Sequence, residues 1–305
     1  MVNFFAVYRP LLRGLMRLAG VKPQMVEIEP GTVMNFWVGN DASNKASKPK
    51  PAVVFLHGFG ADGIMTWQFQ ALALARKYRV FVPDLVFFGG SLTDKSERSL
   101  KFQAECVAKG LRKLGVERCT LVGLSYGGMV GFKMADMFPD LVESLVVTCS
   151  VMALTESISA ASLERIGIKS WPEYLLPDSV KGVELLFDIA TYKLPNIPNF
   201  IYKHYFEVMF DNRKEKVELL KALVIDGKDI TLTHYPQRVH LLWGGNDIIY
   251  TMEVANNIKR QLGNRTRLQH IEKAGHLVQM ERPFVYNKRL KEILSTLWED
   301  GHKKQ

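Results

Sequence analysis

The chain has 305 residues, a formal net charge of +9 and an apolar content of 47%. This apolar content is enough for the core of a globular domain and argues against a disordered chain. No apolar run reaches the roughly 18 residues that a membrane-spanning helix needs. The lysines and arginines are scattered, not clustered with aromatic residues, so nucleic-acid binding is not expected. The three cysteines, Cys106, Cys119 and Cys149, suit neither a disulfide framework nor a metal site and indicate a reducing, cytoplasmic location.

Residues 1–24 predict an amphipathic helix. Pro10 suits a first helical position, and leucines follow it at helical spacing. Arg9, Arg13 and Arg17 stand four residues apart, which predicts a basic stripe beside the apolar face. Three interpretations stay open: the helix contacts an anionic membrane surface, targets an organelle or packs on the rest of the chain. The arginines interrupt every apolar stretch, so the segment is not a secretory signal.

Residues 25–149 alternate between strand and helix patterns. Two short strands come first, followed by a polar loop over 41–51. The continuous apolar run Ala52–Leu56 is typical of a strand buried on both faces. The alternation stops near residue 150 and returns over 236–305. This alternation of strands and helices predicts an α/β fold, in which a mostly parallel sheet has helices on both faces.

Residues 150–235 interrupt the alternation with several helical segments, many aromatic residues and no clear strand. A helical unit inserted between two parts of one sheet predicts a cap, or lid. Most of its apolar side chains are expected to form the core of the cap itself. Some of them should face the site and form an apolar acyl pocket.

A G-x-S-x-G pattern, GLSYG at 123–127, lies between a predicted strand and a predicted helix. The chain must reverse within these few residues, which holds Ser125 in a strained conformation and presents its hydroxyl above the sheet. The flanking glycines let the strand and the helix approach each other. The pattern predicts that Ser125 is a nucleophile.

A serine nucleophile needs a histidine base, and that histidine is usually held by a carboxylate. His276 lies in a loop after the last predicted strand, and Asp247 follows the preceding strand directly. Either residue alone would be an ordinary loop or turn residue. Their order along the chain, Ser125, Asp247, His276, favours a catalytic triad.

The segment HGFG at 57–60 follows the first buried strand. We expect the backbone N–H groups of Phe59 and Tyr126 to form an oxyanion hole, and His57 to brace the turn. The same segment begins a G-x-G-x-x-G pattern, and Asp84 follows about 20 residues later, as in dinucleotide-binding folds. That alternative leaves the serine pattern, the aspartate and the histidine without a role.

Five segments resemble the α/β-hydrolase superfamily: HGFG at 57–60, DLVFFGGS at 84–91, GLSYGG at 123–128, GGND at 244–247 and AGH at 274–276. More narrowly, MVNFF at the start and EIEPGTVMNFWV at 27–38 resemble plant serine hydrolases that are labelled monoacylglycerol-lipase-like or epoxide-hydrolase-like. The resemblance implies an eight-stranded sheet, a helical cap, no cofactor and no metal. Epoxide hydrolases attack with an aspartate, whereas this chain has Ser125 at that position.

The predicted function is hydrolysis of a carboxylic ester with a lipid-like or other apolar acyl group. Phe59, Tyr126 and Leu277 are the expected substrate contacts. Two alternatives stay open because they use the same triad. One is a hormone receptor of the strigolactone-receptor kind with slow turnover, and the other is a lyase or an acyltransferase.

Overall fold

The computed structural model describes residues 2–40, 50–227 and 235–302. In chain order its strands are β1 (Val21–Glu29), β2 (Thr32–Gly39), β3 (Ala52–Leu56), β4 (Arg79–Pro83), β5 (Leu92–Thr93), β6 (Cys119–Leu124), β7 (Val142–Thr148), β8 (Leu154–Thr155), β9 (Val224–Ile225), β10 (Arg238–Gly244) and β11 (Thr266–Ile271). The helices are α1 (Phe4–Leu18), α2 (Gly63–Leu74), α3 (Leu100–Lys113), α4 (Tyr126–Met137), α5 (Glu156–Ile166), α6 (Trp171–Leu175), α7 (Val180–Ala190), α8 (Asn199–Met209), α9 (Arg213–Leu223), α10 (Met252–Leu262), α11 (Val278–Glu281) and α12 (Pro283–His302). Most of the predicted loop over 41–51 lies outside the described residues.

The main sheet has the spatial order β1-β2-β4-β3-β6-β7-β10-β11, and the two-residue strand β5 pairs with β2. β1, β2 and β4 pair antiparallel, and the strands from β4 to β11 along this order pair parallel. The predicted α/β fold with a mostly parallel, eight-stranded sheet is confirmed, with β5 as a short addition. Buried apolar side chains fill the parallel strands because helices cover both faces.

The first strand begins earlier than predicted. β1 pairs with β2 from Val21 opposite Gly39 to Glu29 opposite Thr32, with a register shift between Glu27 and Glu29. Residues 21–24 therefore belong to the sheet and not to the N-terminal helical segment. The hairpin turn places Gly31 at φ +79°, a backbone conformation that glycine adopts without strain.

The N-terminal helix α1 begins at Phe4, so the prediction that Pro10 opens it is wrong. The side chain of Asn3 accepts a hydrogen bond from the N–H of Phe5 and caps the helix. Pro10 lies inside the helix at an exposed position, where water can reach the carbonyl that lacks its usual N–H partner.

Helices α5 to α9 form an insertion between β7 and β10, which we call the helical insertion. The prediction of no strand in this region is wrong in one detail, because β8 and β9 pair with each other in parallel. This short ladder joins the beginning of the insertion to its end. None of the described helices is both long and apolar enough to cross a bilayer.

Candidate active site

Three predicted site residues follow the carboxyl ends of parallel strands in the same sheet. Ser125 comes directly after β6, Asp247 comes after β10, and His276 lies in the loop after β11. Parallel strands end at the same edge of a sheet, so the topology brings these three loops together. We call this edge the carboxyl edge.

Ser125 occupies a sharp turn between β6 and α4, with φ +51° and ψ −118°. This positive φ is strained for a residue with a side chain, and hydrogen bonds hold it in place. The N–H of Ser125 donates to the carbonyl of Thr148 at 3.0 Å. The hydroxyl of Ser150 donates to the carbonyl of Ser125 at 2.6 Å. The structure thus has the strand–turn–helix geometry expected of a nucleophile elbow.

The glycine at 127 is required by close backbone packing at this turn. A Cβ atom on Gly127 would lie 2.3 Å from the carbonyl oxygen of Leu56 and 2.5 Å from that of His57. Both contacts are far shorter than atoms tolerate, so a larger residue would push α4 away from β3. The elbow and the turn after β3 are therefore held at a fixed distance.

Asp247 and His276 form a buried pair. The Oδ2 atom of Asp247 lies 2.9 Å from Nδ1 of His276. The other carboxylate oxygen, Oδ1, accepts the N–H groups of Ile249 at 2.8 Å and Tyr250 at 3.1 Å. Both carboxylate oxygens are therefore bonded, and they hold the imidazole in one orientation. Ser125 and His276 line the same cavity.

A second acid, Glu281, which the sequence interpretation missed, supports the histidine loop. Its Oε2 accepts the N–H of Gly275 at 2.6 Å, and its Oε1 accepts the N–H of Tyr192 at 2.7 Å. The N–H of Leu277 donates to the carbonyl of Ala190 at 3.0 Å. The loop that carries the candidate base is therefore tied to the helical insertion. The sign of this role in the sequence is an acidic residue five positions after His276.

The turn after β3 lies beside the elbow, as the predicted oxyanion hole requires. Phe59 and Tyr126 both line the cavity, and their rings pack edge to face with centroids 5.6 Å apart. Tyr126 is the first residue of α4, so its N–H has no acceptor within the helix. A developing oxyanion near Ser125 could accept this N–H.

His57 is engaged by the backbone on both ring nitrogens. Nδ1 lies 2.7 Å from the carbonyl oxygen of Gly58, and Nε2 accepts the N–H of Leu85 at 2.9 Å. Burial lowers the pKa of His57 to about 4, so the ring is neutral near pH 7. These bonds brace the turn after β3.

Asp84 occupies the position at which a dinucleotide phosphate would have to bind. Its carboxylate accepts the N–H of Gly63, the first residue of α2, at 2.9 Å, and the N–H of Gly90 at 3.0 Å. The helix N-terminus that would receive a phosphate is thus filled by the chain's own carboxylate. Burial and the neighbouring Asp62 raise the pKa of Asp84 to about 7. The geometry contradicts the dinucleotide-binding alternative.

Cys149 is the third member of a buried cluster with Asp247 and His276, whose potential ligand atoms lie within 4.8 Å of one another. A metal ion does not fit this donor set. The oxygens of Asp247 already accept three bonds, and Cys149 Sγ accepts the N–H of Gly244 at 3.3 Å. Burial raises the pKa of the Cys149 thiol well above its usual value, so a thiolate ligand is disfavoured.

The cavity above Ser125 is lined by the carboxyl edge and by the helical insertion. The described lining residues include no Asp, Glu, Lys or Arg. From the insertion and its flanking strand come Leu154, Trp171, Tyr174, Leu175, Leu186, Phe187, Ala190, Tyr205, Leu220 and Leu223. Leu277 and Met280 line it from the histidine loop. A wall of this composition favours the binding of an apolar substrate group.

Comparison with known proteins agrees with this architecture. A family model described as alpha/beta hydrolase fold matches residues 51–176. Human Epoxide hydrolase 4 is 24% identical over 264 residues, which cover 78% of this chain and 71% of the relative. The crystal structure of a bacterial membrane phospholipase A superposes with a TM-score of 0.79 at 25% identity, covering 96% of this chain and 91% of that one. A putative lipase from Acinetobacter baumannii gives a TM-score of 0.83 at 20% identity over 96% of this chain and 97% of that one.

The fold, the matched family model and these relatives support the assignment of this chain as a hydrolase. The chain has the α/β-hydrolase fold, and these comparisons support its place in the α/β-hydrolase superfamily. The narrower resemblance to plant proteins stays a prediction.

Proposed function

We propose that the protein is a serine esterase that cleaves carboxylic esters with apolar acyl groups through an acyl-enzyme intermediate. The observation that carries the proposal is the Asp247–His276 pair, whose histidine lines the same apolar cavity as the strained Ser125. A nucleophile, a base and an orienting acid are the minimum set for acyl transfer to serine.

In the proposed mechanism, the hydroxyl oxygen of Ser125 attacks the ester carbonyl while His276 takes the hydroxyl proton. Asp247 keeps the imidazole in the tautomer that accepts this proton and stabilises its charged form. The N–H groups of Phe59 and Tyr126 receive the oxyanion. The tetrahedral intermediate collapses, and His276 gives its proton to the leaving alcohol. Water, activated by His276, then hydrolyses the acyl-enzyme and releases the acid.

The apolar acyl group is supported by the cavity wall. Because no cation lines the cavity among the described residues, a substrate carboxylate or phosphate would have no counter-charge there. Two tyrosine hydroxyls are already committed to the backbone: Tyr174 donates to the carbonyl of Leu186, and Tyr205 donates to that of Gly60. The wall therefore offers mainly hydrophobic contact. In this proposal the helical insertion acts as a cap that supplies the acyl pocket.

The test is hydrolysis of p-nitrophenyl esters from acetate to dodecanoate, with styrene oxide as a substrate that has no carbonyl. We expect multiple turnovers on the esters, a higher kcat/KM for medium or long acyl chains and no diol from the epoxide. A strict preference for acetate would contradict the acyl pocket. A single turnover with a retained adduct would favour a receptor, and ester formation with an added alcohol in preference to hydrolysis would favour an acyltransferase.

A further inference from the structure

The helix α1 has two apolar faces, and only one of them packs on the protein. Phe5, Leu12 and Met16 are buried against the body of the molecule. Phe4, Val7, Leu11, Leu15 and Leu18 point away from it, and we call these five residues the exposed stripe. Leu11 is 60% exposed and Leu18 is 87% exposed. The sequence suggested one apolar face, and the structure divides it in two.

The exposed stripe is not needed to attach α1. Arg9 pairs with Asp62 at 3.1 Å, and the N–H of Phe4 donates to Nδ1 of His204 at 2.9 Å. The side chain of Asn3 donates to the carboxylate of Glu207 at 2.8 Å. These contacts fix the helix on α2 and α8. A contiguous row of large apolar side chains that folding leaves in water usually marks an interaction surface.

The charged residues around the exposed stripe indicate which kind of partner binds there. Arg13 and Arg17 are exposed, and Lys22 is exposed just after the helix. Arg17 is about 100° around the helix from Leu18, so it flanks one side of the stripe, and Arg13 lies about 40° farther from the stripe. No acidic residue occurs before Glu27. A contact between two copies through this surface would bring together two sets of cations with no acid of the helix to pair with them, which opposes self-association.

We propose that α1 lies in the surface of an anionic phospholipid bilayer, with the exposed stripe among the acyl chains, Arg17 at the headgroups and Arg13 next to Arg17 on the side farther from the lipid. An in-plane helix with an apolar stripe and flanking cations binds in this way. Arg9, which the sequence placed in the same basic stripe, serves the fold through Asp62. The helix contacts α8, which carries Tyr205 of the cavity wall, so membrane binding brings the proposed esterase site to the lipid surface.

The test is co-sedimentation of the full-length Ser125→Ala protein with vesicles of phosphatidylcholine, with and without phosphatidylglycerol. We expect binding to the vesicles that contain phosphatidylglycerol, and weaker binding at high salt. Leu11→Ser should weaken binding about tenfold because it removes one inserted side chain. Leu92→Ser is the matched control, since Leu92 is 56% exposed on β5, and it should bind like the parent. Arg13→Ala with Arg17→Ala should reduce the preference for phosphatidylglycerol.

Equal binding by the Leu11→Ser and Leu92→Ser proteins, or no vesicle binding by the full-length protein, would overturn the proposal. A concentration-dependent dimer in sedimentation equilibrium that Leu11→Ser abolishes would assign the surface to a second copy instead. Circular dichroism melting should show that both variants remain folded. Because Ser125 is absent from these proteins, the result does not depend on the proposed esterase activity.

Discussion

The carboxyl edge of the sheet and the helical insertion contribute to one cavity in different ways. At the edge, short loops fix polar groups through backbone hydrogen bonds and glycine packing, as Asp247 and Gly127 show. The insertion contributes mainly apolar side chains, whose contacts have little directional preference. The edge can therefore determine the reaction, and the insertion can determine which acyl group fits.

This difference implies that the carboxyl edge tolerates substitutions less well than the helical insertion does. A directional bond at the edge is lost completely when one atom is removed, whereas an apolar wall can repack around a change of volume. We therefore expect substitutions at the edge to change kcat by orders of magnitude. Substitutions in the insertion should mainly change the ranking of substrates.

The largest expected effect is that of Ser125→Ala, which removes the proposed nucleophile. We expect kcat for ester hydrolysis to fall by about 10⁶-fold with the fold intact. The assay is p-nitrophenyl ester hydrolysis together with a thermal melt. Ser157→Ala, at an exposed serine of α5, is the control and should keep full activity. Substantial turnover by the Ser125→Ala protein would remove the basis for a serine mechanism.

The next effect is that of Asp247→Asn, which keeps the shape of the side chain but not its charge. Nδ1 of His276 then loses its anionic partner, and we expect kcat to fall by about 10⁴-fold with little change in KM. Asp140→Asn is the control, because Asp140 is an exposed acid that pairs with Arg112 on the surface. An increase in KM with an unchanged kcat would show that Asp247 acts in substrate binding and not in orienting the base.

A smaller effect is expected in the insertion, where two adjacent leucines of α7 form a matched pair. Leu186 lines the cavity, whereas Leu185 is 45% exposed. Leu186→Ala should move the acyl-chain length with the highest kcat/KM towards longer chains. The ratio of kcat/KM between two chain lengths should change by about tenfold. Leu186→Trp should move the optimum length towards shorter chains, and Leu185→Ala should leave it in place. An unchanged optimum in both Leu186 variants would mean that this wall does not contact the acyl group.

The last expected effect concerns the stability of the fold and not catalysis, through the buried His57. Its pKa is lowered from 6.5 to about 4, so below pH 6.5 the unfolded chain takes up a proton that the folded chain does not. The free energy of unfolding should therefore fall as the pH drops from 6.5 towards 4, by at most about 3 kcal/mol from this group. Urea unfolding across this range should show a shallower acid slope for His57→Asn. His270→Asn, at an exposed histidine, should keep the original slope.

The fold and the three central site residues were predictable because their signals are local. The run Ala52–Leu56 was assigned as a strand with the bounds that the structure has, since a fully buried strand carries an unbroken apolar pattern. Ser125 was predicted from a short sequence pattern, in which Gly123 is required by its contacts with Gly127 and Gly128 within the turn. Asp247 and His276 were predicted by their places after strands and by their order along the chain.

Features that depend on distant parts of the chain were not predictable in this way. Glu281 supports the histidine loop by accepting the N–H of Tyr192, which is 89 residues away, and no local pattern encodes that bond. Both faces of α1 are apolar, so only the docked structure separates the buried Leu12 from the exposed Leu11. Pro10 was misplaced because the capping bond of Asn3 was not considered.

The most direct test of the proposed esterase mechanism is reaction of the full-length protein with a fluorophosphonate, followed by intact-mass and peptide mass spectrometry. We expect one adduct per chain, located on Ser125, with ester hydrolysis lost in proportion to labelling. An adduct on another residue, or full ester hydrolysis by protein that is completely labelled on Ser125, would contradict the assignment of Ser125 as the nucleophile.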